Sequence, residues 1–416
     1  MLEVFVTCLN RYANFLEEKK SKQDNGRDYV IPVGQEKLGG LIVEAITLLL
    51  AGNGANANVL RECGGAKCVQ ELVQYSECRY AALGIIKELV LTTGGDDDMA
   101  QLLTTLHAAP RTALQLKIDI LEALRLCLKE SHRTRTVFRK VNGFVYVTSV
   151  LVALEGKLCT IETNPEILNL LQLVFHTIST AMRFEPANAK FFYHEICKTS
   201  LCDTLRLLGC FTSEKVDALA ECDVEPQSSD LQDVYHKLFV GSITNPELTD
   251  AVCPSLSYAT LVYRLLYDLA LDLFDKPNLN TGVLMKSPSL SRQASIEPQI
   301  NTSGKRSNVN SLNLNPPIPD PIIVHPGVVV AMLQLLPCIK SENHDVSLTL
   351  QLYVSEVIKS LVRSERNQQD RFRSKTRTTL CMVLFSTCWS VLLLKLSNPQ
   401  ISGIFSGWEI HFVVYL

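Results

Sequence analysis

The sequence runs to 416 residues, 47% hydrophobic and 20% charged, which excludes collagen, coiled coil or a wholly disordered chain. Its 40 basic and 43 acidic side chains nearly cancel, leaving a formal charge of −3 and a pI near 6.3, without the basic footprint of a nucleic-acid binder. Residues 1–20 are apolar only to about Cys8 and end Glu17-Glu18-Lys19-Lys20, unlike the basic start and long apolar run of a secretory signal. The 14 cysteines stand mostly singly (Cys63, Cys127, Cys159, Cys202 and Cys253 on apolar helical faces). They read as reduced core thiols of a cytoplasmic protein rather than a disulfide framework.

In chain order, apolar residues recur at helical spacing over 38–50, 79–91, 113–128, 145–154, 166–182, 258–273 and 346–362. In the third stretch Leu114, Ile118, Leu121, Leu124 and Leu128 form one stripe, while Lys117, Asp119, Glu122 and Arg125 fall mainly off it. That is a period near 3.6, not the 2 of a strand. Between the stretches stand Gly52-Asn53-Gly54, Gly94-Gly95-Asp96, Pro110, Asn164-Pro165, Pro186 and Asn245-Pro246. These are helix-end residues, and the short connections suit antiparallel helical neighbours.

An internal repeat is visible without gaps. Residues 60–73 (LRECGGAKCVQELV) and 138–151 (FRKVNGFVYVTSVL) each close a helix with an apolar residue and Arg61 or Arg139, then turn at Gly64-Gly65 or Asn142-Gly143. Their offset of 78 is twice 39, close to the ~40–47 residues of armadillo and HEAT units. Looser copies start at Phe184 and His325. The fold class expected is all-α, an armadillo/HEAT-like helical-repeat solenoid whose units cover one another's apolar faces. An irregular bundle with similar turns is the plainer alternative.

Residues 275–325 are rich in Ser, Asn and Pro. A compact domain does not hold so long a structureless loop, so a disordered insertion is expected there. It separates helical repeats in 1–274 from their continuation in 326–369. Within it, Arg292-Gln293-Ala294-Ser295 has the spacing a basophilic kinase reads, making Ser295 a candidate phosphosite near Lys305 and Arg306. Any Arg near any Ser in a polar linker gives the same pattern. Residues 370–416 form a divergent apolar tail: Arg371, Arg373, Lys375 and Arg377 precede an uncharged run from Leu380 to Leu394. That run falls short of the ~20 residues of a membrane span, so an anchor, a buried terminal helix and a tail foreign to the fold all stay open.

No constellation of reactive groups emerges. His194, Cys197, Cys202 and Cys210 form the densest metal-type cluster, but lack the paired spacing of structural zinc. There is no nucleophile elbow and no phosphate loop; Asp96-Asp97-Asp98 after Gly94-Gly95 has the wrong charge for an anion nest and suits a helix start. No catalytic, cofactor or metal residues are therefore expected. The one basic patch, Arg133, Arg135, Arg139 and Lys140 beside His132, reads either as a dock for an acidic partner or lipid head group or as a solvated helix face.

Four stretches resemble the amino-terminal region of BEACH-family scaffolds that carry WD repeats and a FYVE finger. They are CLNRYANFLEEKK at 8–20, FRKVNGFVYV at 138–147, HPGVVVAMLQLLP at 325–337 and VRSERNQQ at 362–369. The resemblance covers about residues 1–369, starting inside the family's helical region, and ends where the tail begins. It implies part of a very large cytoplasmic scaffold linking ubiquitinated aggregates to the autophagy machinery. The partners implied are autophagy proteins or ubiquitinated-aggregate receptors. The family's FYVE, BEACH and WD parts lie downstream of the matched region, so lipid binding through a FYVE finger does not carry over. The function expected is a non-catalytic protein-interaction scaffold. The alternative is an adaptor tethered to membranes through 380–394.

Overall fold

A computed structural model describes residues 2–24, 33–160, 163–212, 229–249, 251–275, 322–339 and 344–363. Among them there is no β-strand, only one bridge between Phe211 and Ile339, and the helices stack as two rows. The first row runs α2 (Val33–Leu50), α5 (Arg79–Leu91), α7 (Leu114–Glu130), α10 (Pro165–Met182) and α14 (Pro254–Leu271). The second runs α4 (Gly65–Leu72), α6 (Gly95–Ala108), α9 (Gly143–Ala153), a π-helical segment (Phe192–Leu201) continuing into α12 (Cys202–Arg206), and α15 (Pro326–Leu335). Three short helices, α3 (Gly54–Glu62), α8 (His132–Lys140) and α11 (Pro186–Phe191), lead into second-row members. Helix α1 (Leu2–Asp24) packs on α2 and α4, while α13 (Ser229–Val240) and α16 (His344–Arg363) close over α14. Successive stacking of units, each meeting its neighbours, is the solenoid arrangement the repeat predicts.

The turns that open α4 and α9 explain the repeat. Gly64 and Asn142 are left-handed (φ +75° and +59°), a conformation open to Gly and tolerated by Asn. The glycine that follows, Gly65 or Gly143, lies directly against the apolar side chain five residues before it, Leu60 or Phe138, and a methyl there would overlap that side chain. The matching residues of the two sequence copies thus make matching contacts. Asn53 and Asn164 cap α3 and α10 by accepting from Asn56 N (3.2 Å) and Glu166 N (2.9 Å), and Pro165, Pro186 and Pro326 occupy first turns.

Row helices bury more than one face. On α7, Leu116, Ile118, Ile120, Leu121, Leu124, Cys127 and Leu128 are all buried, because α5 and α10 lie on either side. Each fully buried leucine contributes roughly 1.5–3 kcal/mol. Helix α14 is buried from Leu256 to Leu271, including the ion pair of Arg264 with Asp268 (2.9 Å).

Several expectations need correcting. Lys117 does not face solvent: it is 3% exposed, and its Nζ donates to Ala109 O (2.7 Å) at the end of α6, where a cation meets the negative end of the helix. Of the five cysteines placed on apolar faces, only Cys127 is buried; Cys159 and Cys253 are exposed, and Cys63 and Cys202 half-buried. The edges of the 275–325 segment are anchored. Asp275 pairs with His176 (2.9 Å) and Arg183, and the N–H groups of Val324 and His325 both donate to Ala270 O (2.9 and 3.0 Å). Ser295, Lys305, Arg306 and the tail 370–416 with its run Leu380–Leu394 lie outside the described residues.

Candidate interaction surface

The outward faces of the first row carry exposed and half-buried residues at helical spacing. On α5 the stripe is Tyr80, Gly84, Lys87, Glu88 and Leu91; on α7 it is Gln115, Asp119, Glu122, Leu126 and Lys129; on α10 it is Asn169, Gln172 and His176. Two ion pairs join α5 to α7: Arg79 with Asp119 (3.0 Å) and Lys87 with Glu130 (2.6 Å). Residue numbers rise together along both helices, so they run parallel and their stripes lie side by side. The surface mixes charges of both signs with two large apolar groups, Tyr80 (92% exposed) and Leu126 (42%). An amphipathic aromatic in a charged surround is the composition of a protein-contact surface. On α2, Leu38, Leu41 and Leu48 are likewise exposed.

The basic patch on α8 is mostly committed inward. Arg133 donates to Thr92 O (2.5 Å) and to Asp96 (2.8 Å). Arg135 donates to Leu128 O at the end of α7 (2.9 Å), and Arg139 to Asn188 Oδ1 on α11 (3.0 Å). Of the four residues only Lys140 is exposed. Their neighbour His132 is exposed too, with Nδ1 3.0 Å from Glu185. The repeat arginines share the inward task. Arg61, the counterpart of Arg139, donates to Leu89 O (2.8 Å), Thr93 O (3.0 Å) and Asp98 (2.9 Å), bridging α5 to α6. Burial raises the Asp98 carboxyl above its ordinary range, and Arg61 opposes that rise.

A second charged cluster joins α10 to the end of α14. Arg183 grips Asp272 through two nitrogens (3.0 and 2.8 Å) and also meets Asp275. Ser179 donates to Asp272 (2.6 Å), and His176 stacks on Phe274 with centroids 5.3 Å apart. Burial works to raise both carboxyls; the hydrogen bonds and charges of Arg183, Ser179 and His176 outweigh it and hold them below the usual range. Burial pushes His176 itself down despite Asp275. These ties join residues some 90 positions apart, so no local sequence signal marks them.

Periodicity alone does not single out Tyr80 and Leu126, for a related reason. It shows that a helix has a covered and an open face, and an apolar residue is assigned to the covered one by default. The signal available is their company: Lys87, Glu88, Glu122 and Lys129 share their stripes. Among the described residues no group of three or more His, Cys, Asp or Glu could hold a metal ion, and no helix is long and apolar enough to cross a membrane.

A family model described as armadillo-like repeats matches residues 97–370. WD repeat- and FYVE domain-containing protein 4 of Mus musculus is 26% identical over 372 residues, taking in 85% of this chain and 11% of that protein. Its Homo sapiens namesake is 26% identical over 371 residues, 86% of this chain and 11% of that protein. The chain therefore spans 11% of the length of these curated relatives. No solved structure matches.

Proposed function

This chain belongs to the armadillo-like repeat family, and on that premise we propose that it is a non-catalytic protein-interaction scaffold docking partners on the outward stripes of α5, α7 and α10. The observation that carries this reading is Tyr80, almost wholly exposed beside a charged surface that Arg79–Asp119 and Lys87–Glu130 hold in register. Repeat solenoids build extended binding surfaces in this way, and a rigid aromatic in a polar surround is the usual energetic centre of a protein contact.

The finer reading is a segment of a BEACH-family scaffold for aggregate clearance, resembling WD repeat and FYVE domain-containing protein 3. It acts in the cytoplasm, with autophagy proteins or ubiquitinated-aggregate receptors as partners. The four resembling stretches support it, and the relatives above share the WD repeat- and FYVE domain-containing name. Lys140, His132 and Ser295 keep secondary roles in it: the first two as the exposed remainder of the basic patch, the third as a phosphorylation point in the insertion.

The test is affinity capture from cells with the wild-type chain and the double variant Tyr80→Ser, Leu126→Ser. Surface changes of this kind move stability within about ±0.5 kcal/mol, so equal thermal unfolding is the control. Expected is capture of ubiquitin-aggregate receptors by the wild type and its loss in the variant. Unchanged capture overturns the surface, and wild-type capture without autophagy proteins overturns the aggregate-clearance reading.

A further inference from the structure

Helix α2 opens the first row and leaves one side apolar and uncovered over about four turns. Gly39, Ile42, Val43, Ile46 and Leu50 are buried on the side where α1, α3 and α5 pack. At about 100° per residue, Gly34, Leu38, Leu41, Ala45 and Leu48 fall together on the opposite side. Leu38, Leu41 and Leu48 are each more than half exposed, and Ala45 is half-buried. A methyl on exposed Gly34 would meet nothing within 4 Å beyond its own stretch of helix. Helices α5, α7 and α10 each pack between two first-row neighbours, whereas α2 has α5 alone among the described helices. A polar outer face keeps the end unit of a solenoid apart from other molecules. A stripe of leucines does the reverse and marks a contact surface.

Two charged residues of opposite sign border this stripe. Lys37 and Glu44 are both exposed, lie on the same flank about two turns apart, and form no ion pair among the described residues. The pattern matches itself when a second α2 is laid antiparallel on the first, with the twofold axis at Leu41. Such an axis keeps each flank on its own side and sets residues before it against residues equally far after it. Leu41 then meets Leu41 of the other copy, Gly34 meets Leu48, and Leu38 meets Ala45 within one residue, a rise of about 1.5 Å. On the other flank Lys37 meets Glu44 within the same offset. Every contact away from the axis sets large against small or positive against negative, and each occurs twice.

We propose that this face of α2 docks a second copy of the chain, antiparallel through Leu38, Leu41 and Leu48, with Lys37 of each copy against Glu44 of the other. The inference is independent of the scaffold reading, since Tyr80 and Leu126 stand on other helices. One helix face is a small interface, so the dimer is a weak and reversible one. It presents every partner surface of the chain twice, and two linked sites hold a multivalent partner more tightly than one.

The experiment is sedimentation equilibrium of the full chain at roughly 1–100 μM, a range that spans a Kd on the order of 10 μM. It is run on the wild type, Leu41→Glu, Lys37→Glu, Glu44→Lys and an equimolar mixture of the last two. Expected is a reversible wild-type dimer. Leu41→Glu sets two carboxylates face to face at the axis and leaves a monomer, with circular dichroism and Tm retained because the position is exposed. Each single charge reversal opposes like charges at both flank contacts and weakens the dimer by about tenfold. The mixture returns to wild-type strength, because only a Lys37→Glu chain against a Glu44→Lys chain matches acid with base at both contacts. A folded wild type that stays monomeric over this range, a dimer indifferent to Leu41→Glu, or a mixture no more associated than either variant alone each overturns the proposal. A dimer that survives Leu41→Glu but is lost in Leu392→Arg overturns it too, and assigns the association to the run Leu380–Leu394.

Discussion

Asn188 shows how much one polar side chain holds. It is 0% exposed, its amide nitrogen donates to Arg135 O (2.7 Å) and Ala181 O (2.8 Å), and its oxygen accepts from Arg139 (3.0 Å), so it fastens α8, α10 and α11 together. Asn188→Ala strands three polar groups, at roughly 1–3 kcal/mol for each left unsatisfied, and urea unfolding should show a midpoint far below that of the wild type. Gly143→Ala fails for a steric reason: the new methyl overlaps the ring of Phe138, itself wedged edge-to-face on Phe144 with centroids 4.9 Å apart. Overpacking of this kind costs about 1–3 kcal/mol, while the same substitution at exposed Gly40, where the added methyl meets nothing within 4 Å beyond its own stretch of helix, should be neutral or stabilising. Two histidines set a pH dependence. Burial lowers His325 from 6.5 to about 4 and lowers His176 in the same direction. A histidine depressed in the folded state binds fewer protons than in the unfolded one, so stability is full above about 6.5 and falls as pH drops toward 4. The depressed carboxyls of Asp272 and Asp275 act in a lower window, below the ordinary carboxylate range. Urea midpoints at pH 7 and pH 5 should therefore converge in His325→Phe relative to the wild type; equal slopes would remove His325 from the account.

At the scale of elements, helix positions were legible because amphipathic periodicity is a local property. The stretch 79–91 is α5 to the residue, and 166–182 differs from α10 by one position. The turn chemistry was legible too, since Gly64-Gly65 and Asn142-Gly143 announce a left-handed residue followed by a bare backbone. What could not be read was the use of the charges. Arg61, Arg133, Arg139 and Lys117 look like solvated positions, yet their acceptors are carbonyls and side chains at other helix ends. Sequence distance hides such pairs, and only the stacking of units creates them. The same reasoning bears on the residues that flank 276–321. Asp275, Val324 and His325 are all tied to α10 or α14, so both sides of residues 276–321 carry their own ties to the helices. Loop-closure entropy changes by only about 0.6 kcal/mol per doubling of length. Replacing 276–321 by a short Gly-Ser linker should therefore leave Tm within a few degrees of the wild type. A collapse in Tm would mean that the insertion packs on the solenoid.

For the whole molecule, two rows of helices make stability nearly additive along one axis, each unit depending on its neighbours. Function then depends on which outer faces stay open, and the far end is where the two expectations for the tail part company. The uncharged run Leu380–Leu394 is fifteen residues long and is closed by Lys395. A span needs about 20 apolar residues, and a lysine at its edge helps only by reaching toward the head groups. The shortfall is about five residues, or roughly 7–8 Å at 1.5 Å per residue, a mismatch that has to be met by bilayer thinning, snorkelling or oligomerisation at a cost for every ångström. The full chain expressed in cells should accordingly stay in the supernatant after alkaline carbonate extraction. The variant to run beside it is Leu392→Arg, which places a charge inside the run. If the wild type pellets and Leu392→Arg does not, the run is an anchor and the tethered-adaptor reading replaces the free scaffold. If both stay in the supernatant, the tethered-adaptor reading falls and the proposed scaffold, with Tyr80 and Leu126 exposed on it, is the one left to test by capture.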